Sequence, residues 1–172
     1  MTAMERTAAR LERVVTVVSV PLIWLAVAVL MVATLAGVVQ FSIRAVNATM
    51  FQELSIYAFF ALVMLSLGLT YIRDGHVRID FIAERFGPRQ QAWIEIIGIL
   101  VVLLPLTLLL IWDGGLSTWT AWRIGESSDD VMGLPWRWVL KAFVPGGFAL
   151  LLLAGLARLL RCLALLGGRR RP

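Results

Sequence analysis

The sequence is short of nearly everything a chemical site is built from. Its 172 residues hold one cysteine (Cys162), one histidine (His76) and one lysine (Lys141). One cysteine excludes an internal disulfide, and no metal-ligand pattern surrounds it. It reads as a small apolar residue near a helix end. The histidine has no serine or cysteine beside it in a nucleophile motif. The His-Arg-Asp set around it resembles a kinase catalytic loop only superficially, because no glycine-rich loop accompanies it. No catalytic, cofactor-binding or metal-binding residue is assigned, and the chain does not read as an enzyme.

Charge is scarce as well. Charged residues make up 16% and hydrophobic ones 60%, against roughly a quarter and about half in a soluble domain. The mean hydropathy is +0.86. A globule of this length has no interior large enough to hide that excess, so it must face lipid. The net charge of +5 comes from fifteen arginines against one lysine. A basic balance can mark a nucleic-acid binder. These arginines instead flank apolar runs, as topology determinants do, so membrane lipid is the expected partner and nucleic acid is not.

What is present is long uncharged runs. A spanning helix needs about 20 mostly apolar residues, and four segments qualify: about 14–43, 54–72, 92–112 and 138–157. The first follows Arg6, Arg10 and Arg13 and could be mistaken for a signal peptide. Its thirty uncharged residues far exceed the roughly 7–15 of a signal core, so an uncleaved helix is expected. Cleavage near residues 33–36 is the lesser alternative. At ~1.5 Å per residue the run is ~45 Å long, which requires tilt or protrusion.

Orientation follows from the basic residues. Twelve of the sixteen lie in the N-terminus, the loop between spans two and three, and the C-terminal tail; four lie on the other side. The positive-inside rule then places both termini in the cytoplasm. Trp112, Trp119, Trp122, Trp136 and Trp138 gather around the loop between spans three and four, as an aromatic belt of the outer interface would. In the inner loop, Ile79, Ile82, Ala83 and Phe86 fall at i, i+3, i+4 and i+7, which fits a short interfacial amphipathic helix ended by Gly87-Pro88. The outer loop, from Asp113 to Trp136, is long and polar, and Glu126, Asp129 and Asp130 give it an acidic patch. The expected fold is an all-α integral membrane protein, one domain over 1–172, with four spans.

Ionisable groups near the bilayer midplane usually mark an ion or substrate path. The middles of these spans, LAVAVLM, ALVMLSL, LVVLLPL and ALLLLAG, contain none. Ser19, Thr34, Ser66, Thr70 and Thr107 are expected to bond to their own helix backbones. Glu53, Glu95, Asp113 and Lys141 all sit within about a turn of a span end. Glu53 has two readings: an interfacial carboxylate aided by its own helix N-terminus, or a polar contact to another membrane chain. Gly146, Gly147 and Gly155 suit close helix approach; Gly98 and Pro105 suit a bend. This is the pattern of a helper that works by packing against something else.

Glu53 opening span two, then Gly68, Arg73, Gly75, His76, Arg78 and Asp80, resembles the DctQ family, the small membrane subunit of tripartite ATP-independent periplasmic (TRAP) transporters. Leu134-Pro135-Trp136 before span four, followed by Pro145-Gly146, is a second match. The resemblance covers nearly the whole chain. It implies a large membrane subunit that binds substrate and sodium and works as an elevator, and a periplasmic substrate-binding protein that delivers a carboxylate-type solute. The small subunit would extend the static scaffold in the bacterial inner membrane. It implies no cofactor and supplies no catalytic residue. Glu53, Arg73, His76, Arg78 and Asp80 are therefore expected as subunit-interface or structural positions. Glu126, Asp129 and Asp130 are expected as a periplasmic docking patch. Two other classes stay open: a small autonomous four-helix transporter acting as a homo-oligomer, and a membrane assembly factor. The first normally carries a carboxylate inside span one, which is absent here.

Overall fold

Backbone in lipid must satisfy its own hydrogen bonds, and the described residues are almost entirely helical. A computed structural model describes residues 3–42, 48–73, 87–129 and 133–167. Helix α1 runs Ala3–Ser42 and α2 runs Ala48–Ile72. The third span is composite: α3 (Pro88–Gly98), a π-helical segment (Ile99–Leu103) and α4 (Leu104–Arg123). Helix α5 runs Arg137–Gly167. Four helices are thus long and apolar enough to cross a membrane. No strand occurs among the described residues. The amphipathic helix expected over 79–86 lies outside them. Pro88 opens α3, where a missing N–H costs nothing, and Gln90 Oε1 accepts the Gly87 N–H at 3.2 Å.

The helices overrun the uncharged runs. Helix α1 begins well before Val14 and carries Glu5, Arg6, Arg10, Glu12 and Arg13 on helical backbone. The outer loop is correspondingly shorter than its composition predicts. Its first part, through Arg123, continues α4. The Gly114-Gly115 pair has the composition of a breaker, but Gly114 sits against Pro145 and Val144 of α5, and Ala121 further on is buried. Packing overrides local propensity there.

Between Gly98 and Pro105, where a bend is expected, the chain forms the π segment. Proline has no N–H for the carbonyl four residues back and its ring crowds that carbonyl. The chain widens by one register, and Leu104 N–H reaches Ile99 O. Thr107, buried, returns its hydroxyl to Leu103 O at 2.7 Å and to Leu104 O at 3.0 Å. The widened turn leaves Leu103 pointing at Gly155, where a Cβ would come within 2.6 Å of Leu103 Cδ2.

Helix α5 packs on α1, α2, α3 and α4 and is the centre of the bundle. Its crossing with α2 is closest. A Cβ on Gly147 would lie 2.6 Å from Met64 O, and one on Gly68 would lie 2.8 Å from Leu150 O. The two backbones touch, and only glycine fits. Ala26, Ala61, Leu65 and Leu150 fill the core beside this crossing. Gly146 is different from its neighbour: nothing lies within 4 Å of its Cβ position, so it does not serve the close approach expected of it. Thr34 and Ser66 bond to Leu30 O and Val63 O, as expected. Ser19 does not; its buried hydroxyl has no partner among the described residues.

The adjacent glycines give a controlled test of the crossing. Gly147→Ala should destabilise the chain by about 1–3 kcal/mol, the usual cost of forcing atoms into a filled space. Gly146→Ala should be neutral. Thermal unfolding in detergent reads the difference, and equal midpoints would contradict a backbone-to-backbone contact at Gly147.

Candidate functional site

Charged residues bracket each span. On α2 none lies between Glu53 and Arg73; on the third span none lies between Glu95 and Asp113; on α5 none lies between Lys141 and Arg158. Twenty residues of α2 rise ~30 Å, the thickness of the hydrocarbon layer. The polar chemistry therefore gathers at the two rims of the bundle.

At one rim the loop after α4 is folded back onto α2. Gly125, with φ +63°, adopts the left-handed conformation that ends a helix with a Schellman turn. Glu126 N–H reaches Ala121 O at 2.9 Å and Gly125 N–H reaches Trp122 O at 3.2 Å. The reversal delivers Glu126 to α5, where Lys141 Nζ lies 2.5 Å from Oε2 and Arg137 Nε 3.8 Å from Oε1. Arg137 also donates to Asp129 Oδ2 at 2.8 Å.

Glu53 holds the next part of the loop. Its Oε2 accepts the backbone N–H of Leu134 at 2.6 Å, and its Oε1 accepts the Ser128 hydroxyl. Ser128 N–H closes the loop on Leu134 O at 3.1 Å. A Cβ on Gly133 would meet Ser128 and come within 2.8 Å of Glu53 Oε1, so glycine is required beside the carboxylate. Leu134 is buried. It is one of the residues lining an apolar cleft of about 270 Å³ between α1, α2 and α5, with Leu22, Ala26, Tyr57, Leu65 and Phe143 among others. Glu53 thus fixes the loop that supplies Leu134 to the cleft wall.

At the opposite rim α1 and the third span are tied to α5. Arg158 Nε donates to Glu95 Oε1 at 2.7 Å, and Cys162 Sγ stands 3.4 Å from Glu95 Oε2. Cys162 is buried with Ala92 and Ile96, but its thiol faces a carboxylate rather than only carbon. Arg161 pairs with Glu12. That contact places the start of α1 and the end of α5 at the same end of the bundle.

The sequence-expected positions divide accordingly. Glu53 and Glu126 meet at the loop-side rim through the segment they both hold. Asp129 joins them through Arg137, with its side chain 93% exposed. Arg73 stands at the end of α2, its N–H bonded to Leu69 O at 3.1 Å, away from that rim. His76, Arg78, Asp80 and Asp130 lie outside the described residues. Sequence reasoning missed Ser128, Gly133, Arg137 and Lys141 as partners of Glu53 or Glu126, and it missed the Glu95–Arg158 pair. The signal available for these was only the presence of opposite charges near span ends.

The rim orders its groups by energy. A buried N–H that loses its charged acceptor costs about 1–3 kcal/mol, so Glu53→Ala should lower the unfolding midpoint and speed proteolysis between residues 124 and 136. Asp129→Asn should change neither at neutral pH, because the pair is exposed and screened. The hydrogen bond and charge of Arg137 hold the Asp129 carboxyl below its ordinary value. Its small contribution is present above the usual carboxylate range and is lost as pH falls through the folded value. A loop equally protected in Glu53→Ala would contradict this ordering.

A family model, the DctQ component of tripartite ATP-independent periplasmic transporters, matches residues 35–165. The match takes in α2, the third span, the loop held by Glu53 and α5 up to residue 165. Comparison with curated proteins gives no match, and neither does comparison with solved structures. With four spanning helices and a family model covering most of its length, the chain belongs to the DctQ family, the small membrane component of TRAP transporters.

Proposed function

We propose that the chain is the small permease subunit of a TRAP transporter that takes up a carboxylate-type solute, coupled to sodium, across a bacterial inner membrane. It is a multi-pass subunit with both termini in the cytoplasm. Its partners are a large membrane subunit, which carries substrate and sodium, and a periplasmic substrate-binding protein. Its own part is to brace the large subunit. The observation that carries this reading is the uncharged slab between two polar rims, in a chain of the DctQ family. A transport path normally needs ionisable or polar groups near the midplane, and the described spans offer no charged group between their rims.

In this reading the Glu53 rim faces the periplasm. Glu126 is held by Lys141 and shapes the loop; Asp129, paired with Arg137 but with its side chain 93% exposed, and Asp130 are the docking carboxylates for the binding protein. Arg73, His76, Arg78 and Asp80 act at the cytoplasmic side as anchor and subunit contact. Replacing Arg78 or Asp80 should lower uptake by weakening assembly, with the solute affinity of the binding protein unchanged. Wild-type uptake with an intact complex in both variants would remove that assignment.

The direct test is reconstitution. The tagged chain is co-expressed with a large TRAP membrane subunit from the same genome, purified in detergent and placed in proteoliposomes with the matching binding protein. A 1:1 complex and sodium-driven uptake that needs all three components are expected. A chain that purifies alone as an oligomer and moves solute by itself would overturn the proposal.

A further inference from the structure

The chain has seven tryptophans, and six stand near the rims. Trp93 is two residues from Glu95, and Trp112 adjoins Asp113. Trp119 and Trp122 occupy the last turns of α4, and Trp136 and Trp138 flank Arg137. These are the depths that indole rings favour in a membrane. Trp24 is the exception.

Its depth follows from its neighbour. Ala26 packs with Ala61, Leu65 and Leu150, and Leu150 lies midway along the uncharged stretch of α5 between Lys141 and Arg158. Two residues along a helix are ~3 Å of rise and ~200° of rotation. Trp24 is therefore near the bilayer centre on the opposite side of α1, and it is 68% exposed there. Hydrocarbon offers the indole N–H no acceptor. Tryptophan is instead among the residues that anchor protein interfaces.

The same side of α1 also carries charge at one end. Arg10, Val17, Trp24 and Met31 repeat every seven residues, and Arg6 and Arg13 flank Arg10 at helical spacing, so all six share one ridge. All six are exposed, while Ala8, Val15, Ala26 and Ala33 on the other side are buried. Arg137, Lys141, Arg158 and Arg161 each meet a carboxylate. Arg6, Arg10 and Arg13 meet none among the described residues. The ridge is thus apolar through the membrane and carries at one end three positive charges that meet no carboxylate among the described residues.

We propose that this ridge of α1 is the surface on which a transmembrane helix of the large membrane subunit docks. The partner helix presents a backbone or hydroxyl oxygen to Trp24 Nε1 near mid-membrane. It presents carboxylates where Arg6, Arg10 and Arg13 stand. Lipid satisfies the arginines alone, through its phosphates, but leaves the indole unpaired, which is why protein is the occupant assigned. The inference rests on the small-subunit reading and adds the face through which that subunit binds.

The test uses the intact complex in membranes. A photo-crosslinking residue is placed at Val17, Trp24 or Met31 and, as control, at Val101, which is 66% exposed on the third span. Crosslinks to the large subunit from the α1 positions and not from Val101 are expected. Trp24→Ala should weaken the complex by about 30-fold, the effect of losing an interface anchor. Labelling of lipid or of a second copy of this chain from Trp24, with Val101 labelling the large subunit, would overturn the docking face and leave the small-subunit reading intact. Absence of any complex between the two proteins would overturn both.

Discussion

Everything in this bundle depends on how closely α2 and α5 approach. Lipid is as apolar as leucine, so burial alone does not drive membrane helices together. Contact must come from packing, which requires that backbones come near each other. Gly68 and Gly147 remove the side chains that would keep α2 and α5 apart, each receiving the other helix's backbone. The same helix repeats the device for the third span, where Leu103 enters the space over Gly155 and Pro145 lies against Gly114. Helix α5 therefore serves as a notched post against which the other spans are seated.

The rims complete what packing begins. Glu53 and Glu126 hold the loop after α4 to α2 and α5, and Glu95 and Glu12 hold the third span and α1 to Arg158 and Arg161. These contacts join separate segments, helix to helix or loop to helix, rather than lying within one helix. Sliding one helix by a turn would separate charges that are only partly hydrated. The rims thus fix helix register, while the middle of the bundle supplies only shape.

The spans themselves were legible because an uncharged run of about 20 residues matches the thickness of a bilayer and little else in protein structure. Glu53 was legible as unusual, but not its partners, because Ser128 and Leu134 are far away in sequence and a loop hydrogen bond leaves no periodic trace. Gly68 stood out only through family resemblance; its role needs the position of Leu150, which no single-chain pattern contains. The outer segment reads as loop from Asp113 onward because Gly114-Gly115 and the following hydroxyl residues weaken local helix propensity. The contact of Gly114 with Pro145 is a tertiary fact. Pro105 did announce a disturbance in the third span, since the missing N–H acts locally, though not that the chain would answer with a π turn.

The distribution of polarity joins these points to the proposed role. A subunit that moves solute has to offer binding groups inside the membrane and exchange them between two arrangements. Here Glu12, Glu53, Glu95, Glu126 and Asp129 spend hydrogen-bonding capacity at the rims, on neighbouring segments of the same chain. What remains outward on α1 is an apolar ridge with a tryptophan at its middle and arginines at one end. A rigid face with one anchored register is what a brace needs. A second chain bound to it gains a fixed reference in the membrane, against which its own mobile parts can be displaced.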